Sequence, residues 1–192
     1  MDRRAALICA LAVGTALAEE GSETPVDLDL QLRQVLLDAV SETNSFDDRF
    51  DAEVWLTVMS QRLARQVPNI NERLRILKTV HQHATRAELA PELVLAVIDV
   101  ESDFDRYAIS SASALGLMQI MPFWVDELGY DDKNVLFDID INILLGCRIL
   151  KYYLDMEDGD MLQGLARYNG STGRRWYGDR VLQRLSSKWF RM

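Results

Sequence analysis

Apolar residues recur every three or four positions along most of this chain, and nowhere do they alternate with polar ones over the length of a strand. A chain patterned this way buries its apolar stripes by packing helix on helix, so the expected fold class is all-α. Leu28, Leu32, Val35, Leu36 and Ala39 outline a helix over 28–40. Val54, Leu56, Val58, Met59, Leu63 and Val67 predict a second over 52–67, ending at Pro68-Asn69, and Leu74, Leu77 and Val80 a third over 71–84. Pro91 and Glu92 suit the opening of the next, which runs to Glu101. Proline needs no partner for its nitrogen at the first helical position, and a carboxylate there meets the positive end of the helix dipole. After a loop of small residues over 110–114, the run 116–121 reads as a short apolar helix stopped by Pro122 and resumed over 123–128. Asp138 or Asp140 can cap a helix reaching about Leu154, 161–168 forms another closed by Asn169-Gly170, and 177–185 forms the last.

The amino-terminal segment stands apart. Arg3 and Arg4 precede an apolar run over 5–15, and Ala16-Leu17-Ala18 offers small residues for cleavage before Glu19. This reads as a secretory signal peptide over 1–18 and predicts an exported, periplasmic protein. Its removal takes Cys9 with it and leaves Cys147, so no intrachain disulfide is expected, and the apolar surroundings of Cys147 fit a small buried hydrophobe. The formal net charge of −9 argues against nucleic acid, which needs a basic surface, and against tight binding to an anionic membrane. His81 and His83 lie two apart on a helix and diverge, so they would not share a metal. Trp124, Trp176 and Trp189 could stack on sugars or fill core.

The position of Glu101 is unusual. Leu93, Val97 and Glu101 are spaced by four, with Val94 and Ile98 on the same side, so the carboxyl group extends an apolar stripe. Burial disfavours the ionised carboxylate and raises its pKa, and a carboxyl kept protonated near neutral pH can act as a general acid. Spacing alone favours a salt-bridged glutamate at a helix end, since most charged residues are structural.

Three segments in order bear on that choice. Glu101-Ser102-Asp103-Phe104, Gly116-Leu117-Met118-Gln119 and Ala166-Arg167-Tyr168-Asn169-Gly170 resemble the motifs of the soluble lytic transglycosylase (SLT) domain. Asn142-Ile143 followed by Gly146 is similar to that family's connecting helix. The resemblance spans roughly 89–185. It implies a lysozyme-like catalytic domain over 86–192, with 19–85 as an N-terminal helical extension packed on it. It implies that Glu101 is the single catalytic acid/base, that Ser102 positions substrate or supports the glutamate, and that Gly116 lets backbone approach the cleft floor. Met118 and Gln119 would face the sugar, Tyr168 would orient Glu101, Asn169 would bind sugar or support the site, and Tyr177 would line the cleft. Arg167 departs from the commoner alanine at a position that need not face substrate. No metal or cofactor is implied. The expected partner is the peptidoglycan glycan strand, cut by a monomer without water to leave 1,6-anhydro ends, with an envelope-spanning complex as a further partner by analogy. The alternatives are a muramidase or chitinase-type hydrolase on the same fold, and a non-enzymatic peptidoglycan-binding assembly factor.

Overall fold

A computed structural model of the chain describes residues 48–127 and 131–190. The expected signal peptide and the expected helix over 28–40 lie outside these residues. Within them, seven α-helices follow in order: α1 (Arg49–Leu63), α2 (Ile70–Arg86), α3 (Pro91–Glu101), α4 (Phe123–Glu127), α5 (Ile139–Met156), α6 (Met161–Tyr168) and α7 (Trp176–Arg184). A 3₁₀ turn (Lys133–Phe137) precedes α5, and a π-helical turn (Leu185–Trp189) continues α7. The described residues contain no strand, only isolated bridges joining Ile109 to Leu115 and Leu115 to Ile120. The all-α expectation is met.

The helices start where polar side chains can take the unpaired amide hydrogens of a first turn. Asp48 caps α1, Asn69 caps α2, Asp138 caps α5 and Asp160 caps α6. Asp140 is not the cap; it accepts from Thr79 at 2.7 Å and pairs with Arg75, clasping α5 to α2. α3 is buried on every side from Leu93 to Asp99, as expected of a helix apolar all round. It is the centre of the molecule, and α2, α7 and the π-helical turn pack around it.

Two expectations are corrected. The inward face of α1 consists of Ala52, Trp55, Leu56, Met59, Ser60 and Leu63, while Val54 is 41% exposed and Val58 only half-buried. The indole decides the rotation of α1. Trp55 is the largest apolar group on the helix, and its Nε1–H donates to Glu92 at 2.8 Å, so burying it outweighs burying Val54. The second correction concerns 116–121, which is a turn and not a helix. Leu115 and Ile120 exchange backbone hydrogen bonds at 2.9 and 3.0 Å, and Gly116 and Gln119 both have positive φ, which a right-handed helix cannot accommodate.

Candidate active site

Glu101 is the last residue of α3, and the chain turns sharply after it. Asp103 and Phe104 have φ of 52° and 67°. Left-handed backbone at a bulky aromatic is strained. Burial of the Phe104 ring against Trp189, centroid to centroid 5.4 Å, offsets that cost. The turn leaves the Glu101 carboxyl at the end of the buried helix and only partly accessible. Burial pushes its pKa up to about 6. The Tyr177 hydroxyl donates to Glu101 Oε1 at 2.6 Å and, with Asn169 and the Arg180 charge, pulls the other way without cancelling the effect of burial. Tyr177 itself is buried, and burial beside the carboxylate holds its phenol far above its ordinary pKa, so it remains a donor.

The Tyr168 hydroxyl donates to the Met118 carbonyl at 2.7 Å, so the tyrosine holding Glu101 is Tyr177, and Tyr168 braces the neighbouring loop. Ser102 Oγ donates to the Leu117 carbonyl at 2.8 Å and contacts Ile98 O of its own helix at 3.3 Å, tying the end of α3 to the same loop. Gln119 Nε2 donates to the carbonyls of Gly116 and Ala108 at 2.9 and 3.2 Å. Met118 has a side chain that is 0% exposed and packed against Gly146, where an added Cβ would collide with its sulfur. Gly116 is required at its own position twice over. Its φ is +76°, and a Cβ there would overlap Asn142 and the Leu136 carbonyl. Asn142 is buried with its amide fully engaged, accepting from Met118 N at 2.8 Å and donating to Leu115 O and Leu136 O at 3.0 and 2.8 Å.

Beside this loop lies a cleft of about 290 Å³, lined by Gln119, Trp124, Tyr153, Arg167, Tyr168 and Asn169 among others. Trp124, one of the tryptophans that could stack on sugars, lines it, whereas the sequence carries no signal for Tyr153 or Arg167 there. Arg167, expected to be indifferent to the site, lines it and pairs with Glu157. Trp176 is 52% exposed and meets the Tyr177 ring edge-on, while Trp189 is core. The acidic residues near Glu101 have other partners. Asp99 is buried and binds Lys188 Nζ and Trp189 Nε1, both at 2.9 Å. Asp103 accepts from Gln66, and Asp105 accepts from its own turn at Tyr107 N. Among the described residues no group of three or more His, Cys, Asp or Glu could hold a metal, and no helix is long and apolar enough to cross a membrane.

A family model for the transglycosylase SLT domain matches residues 78–184. The chain belongs to that family. It is 30% identical over 135 residues to membrane-bound lytic murein transglycosylase C of Yersinia pestis (strain Pestoides F), and equally to that of Yersinia pseudotuberculosis (serotype O:1b, strain IP 31758). In each case 62% of this chain and 38% of the relative are covered, so the chain spans well under half the length of these curated relatives. Among solved structures, an inactive mutant of lytic transglycosylase Slt from Pseudomonas aeruginosa matches with a TM-score of 0.44 and 21% identity, covering 83% of this chain and 25% of that one.

Proposed function

We propose that this chain is a peptidoglycan lytic transglycosylase that cleaves the MurNAc–GlcNAc β-1,4 bond without water, with Glu101 as its single acid/base. The observation that carries the reading is the carboxyl of Glu101. It is pushed up to about 6 by burial, held by Tyr177 at 2.6 Å, and set at a helix end beside a cleft with polar and aromatic walls. In this reading Glu101 delivers its proton to the glycosidic oxygen as the bond from the muramic acid C1 breaks and its electron pair goes to that oxygen. The sugar's own acetamido oxygen stabilises the positive charge at C1. Glu101, now a carboxylate, takes the proton of the C6 hydroxyl as O6 bonds to C1, which closes the 1,6-anhydro ring and restores the acid. The Tyr177 hydrogen bond stabilises the carboxylate form between the two transfers. Asp99, Asp103 and Asp105 are committed to other partners, which favours one carboxylate over the pair a water-using glycosidase employs.

The substrate lies in the cell wall, and export by the segment 1–18 would bring the enzyme to it. The decisive experiment is mass spectrometry of fragments released from purified sacculi. The parent protein should release anhydro-muramic ends, one water lighter than hydrolytic products; reducing ends would replace this reading with the muramidase one. Glu101→Gln should lower release by at least about 100-fold, the usual contribution of a positioned proton donor. Undiminished release would remove Glu101 from the chemistry.

A further inference from the structure

Asp99 and Asp103 stand two residues before and two residues after Glu101, and one side chain from another part of the chain joins them. Gln66, in the turn that follows α1, donates through Nε2 to Asp103 Oδ1 and lies 3.4 Å from Asp99 Oδ1, while its Oε1 accepts from Lys188 Nζ. Lys188 also donates to Asp99 Oδ2 at 2.9 Å. Gln66 precedes, and Lys188 follows, the residues 78–184 that the SLT family model matches. We propose that Gln66 is a positioning residue for the reaction, bracketing Glu101 so that its carboxyl meets Tyr177 and the cleft in one fixed geometry. The inference rests on the glycan-cleavage reading above.

The backbone after Glu101 needs such a bracket. Asp103 and Phe104 are successive non-glycine residues with positive φ, and backbone of that kind persists only where its surroundings over-determine it. The bond from Asp105 N to Ser102 O, at 3.0 Å, closes the turn locally. Gln66 ties the turn back to α3. Two carboxylates drawn together at the end of a helix repel each other, and an amide is suited to hold them. Nε2 offers two hydrogens, one toward each carboxylate, and Oε1 takes the ammonium of Lys188, which neutralises part of their charge. Lys188 lies in the π-helical turn that continues α7, and α7 carries Tyr177. The same network therefore fixes the helix that presents Glu101 and the helix that presents its hydroxyl donor. It acts through placement and not through its own field. The groups that set the Glu101 pKa are its burial, Tyr177, Asn169 and Arg180, and a loosened bracket acts on Glu101 by weakening the Tyr177 bond.

The test uses the full-length protein and solubilised glycan strands, with kcat and KM measured across pH. Gln66→Met keeps the length of the side chain and removes the amide. It should lower kcat about tenfold, less than the roughly 100-fold cost of a 1 Å misplacement, with KM within about twofold of the parent. The falling limb of kcat/KM should move to higher pH, because the bond that favours the Glu101 carboxylate is weakened. In Tyr177→Phe protein that bond is already gone, so Gln66→Met should add no further shift. Asp103→Ala, at an exposed position, should reproduce the loss, while Asp103→Asn, which still accepts from the amide, should keep kcat near that of the parent. Asp48→Ala strips the cap of α1, which controls for lost stability, and should leave kcat and the limb in place. Parental kcat and limb in Gln66→Met, or a loss that Asp48→Ala matches, overturns the positioning role while glycan cleavage stands. Absence of cleavage by the parent protein overturns the reading beneath it and this inference with it.

Discussion

At the scale of single residues, the site depends on a balance at one carboxyl group. Burial raises the Glu101 pKa, and the Tyr177 hydroxyl, the Asn169 amide and the Arg180 charge lower it, to a net value of about 6. In the proposed mechanism the protonated form starts the reaction, so kcat/KM should fall as pH rises through about 6. Tyr177→Phe removes a bond made to the carboxylate, which raises the Glu101 pKa further. The falling limb of the pH–rate profile should therefore move to higher pH, while kcat at the plateau drops because the carboxylate formed after the first transfer loses its donor. A profile measured on purified sacculi checks this; a limb that stays in place would separate Tyr177 from the titration of Glu101. The same balance shows how far single residues were legible. Periodicity placed the Glu101 side chain on a buried face, and its carboxyl is indeed largely desolvated at the end of the buried helix, with the residue still partly accessible. It could not choose between Tyr168 and Tyr177, because both stand near Glu101 in space and only the direction of each hydroxyl separates them.

At the scale of elements, α5 acts as a template for the loop 115–120. Asn142 reads three backbone groups of the loop and its neighbour, and Gly146, one turn on, makes room for the Met118 side chain. Two effects oppose each other at Gly146. Replacing glycine by alanine inside a helix gains about 1 kcal/mol in propensity. The added methyl would drive into Met118, and overpacking of a closed core costs roughly 1–3 kcal/mol. Because Met118 is sealed between the loop and α5, the steric cost should win, and Gly146→Ala should be destabilised in urea denaturation. Combined with Met118→Ala, it should be less harmful than the sum of the two single changes, since the methyl then enters space the methionine has left. Strict additivity would mean the two side chains do not contend for that space. The segment 116–121 reads as a helix in sequence because its apolar run is short and local periodicity is ambiguous there. The Leu115–Ile120 backbone pair closes the turn, and Asn142, more than twenty residues away, pins it.

At the scale of the whole molecule, the carboxyl-terminal turn locks the helix that carries Glu101. Asp99, two residues before Glu101, receives Lys188 and Trp189, and Arg184 stands 3.6 Å from it. Arg62 of α1 grips the carbonyls of Lys188 and Phe190 at 2.8 and 2.9 Å. The first helix, the central helix and the last turn therefore meet around one buried carboxylate and one fully buried indole. Trp189→Ala opens a cavity beside Phe104 and strips a donor from Asp99. It should cost roughly 3–5 kcal/mol, read as a lowered midpoint in denaturant. An effect below about 1 kcal/mol would show that the turn is not part of the cooperative core.

The chain's own periodicity determined that it is helical and that α2, α3, α6 and α7 begin and end close to the positions read from the sequence, because those outcomes depend on neighbours within one or two turns. Start and stop signals act over the same short range, so Pro91 and Asn169-Gly170 could be read directly, while Asn69, which reads as the end of the helix before it, caps the one after. The face α1 presents, the turn over 115–120, the place of Arg167 in the cleft and the hydroxyl that reaches Glu101 were decided only by the tertiary structure. Three of them result from contacts between segments distant in the chain, Trp55 with Glu92, Asn142 with the loop and Tyr177 with Glu101, while Arg167 is held by Glu157 across the turn from α5 to α6. A one-dimensional pattern carries no information about such meetings, because they depend on how helices cross once their apolar faces have been buried.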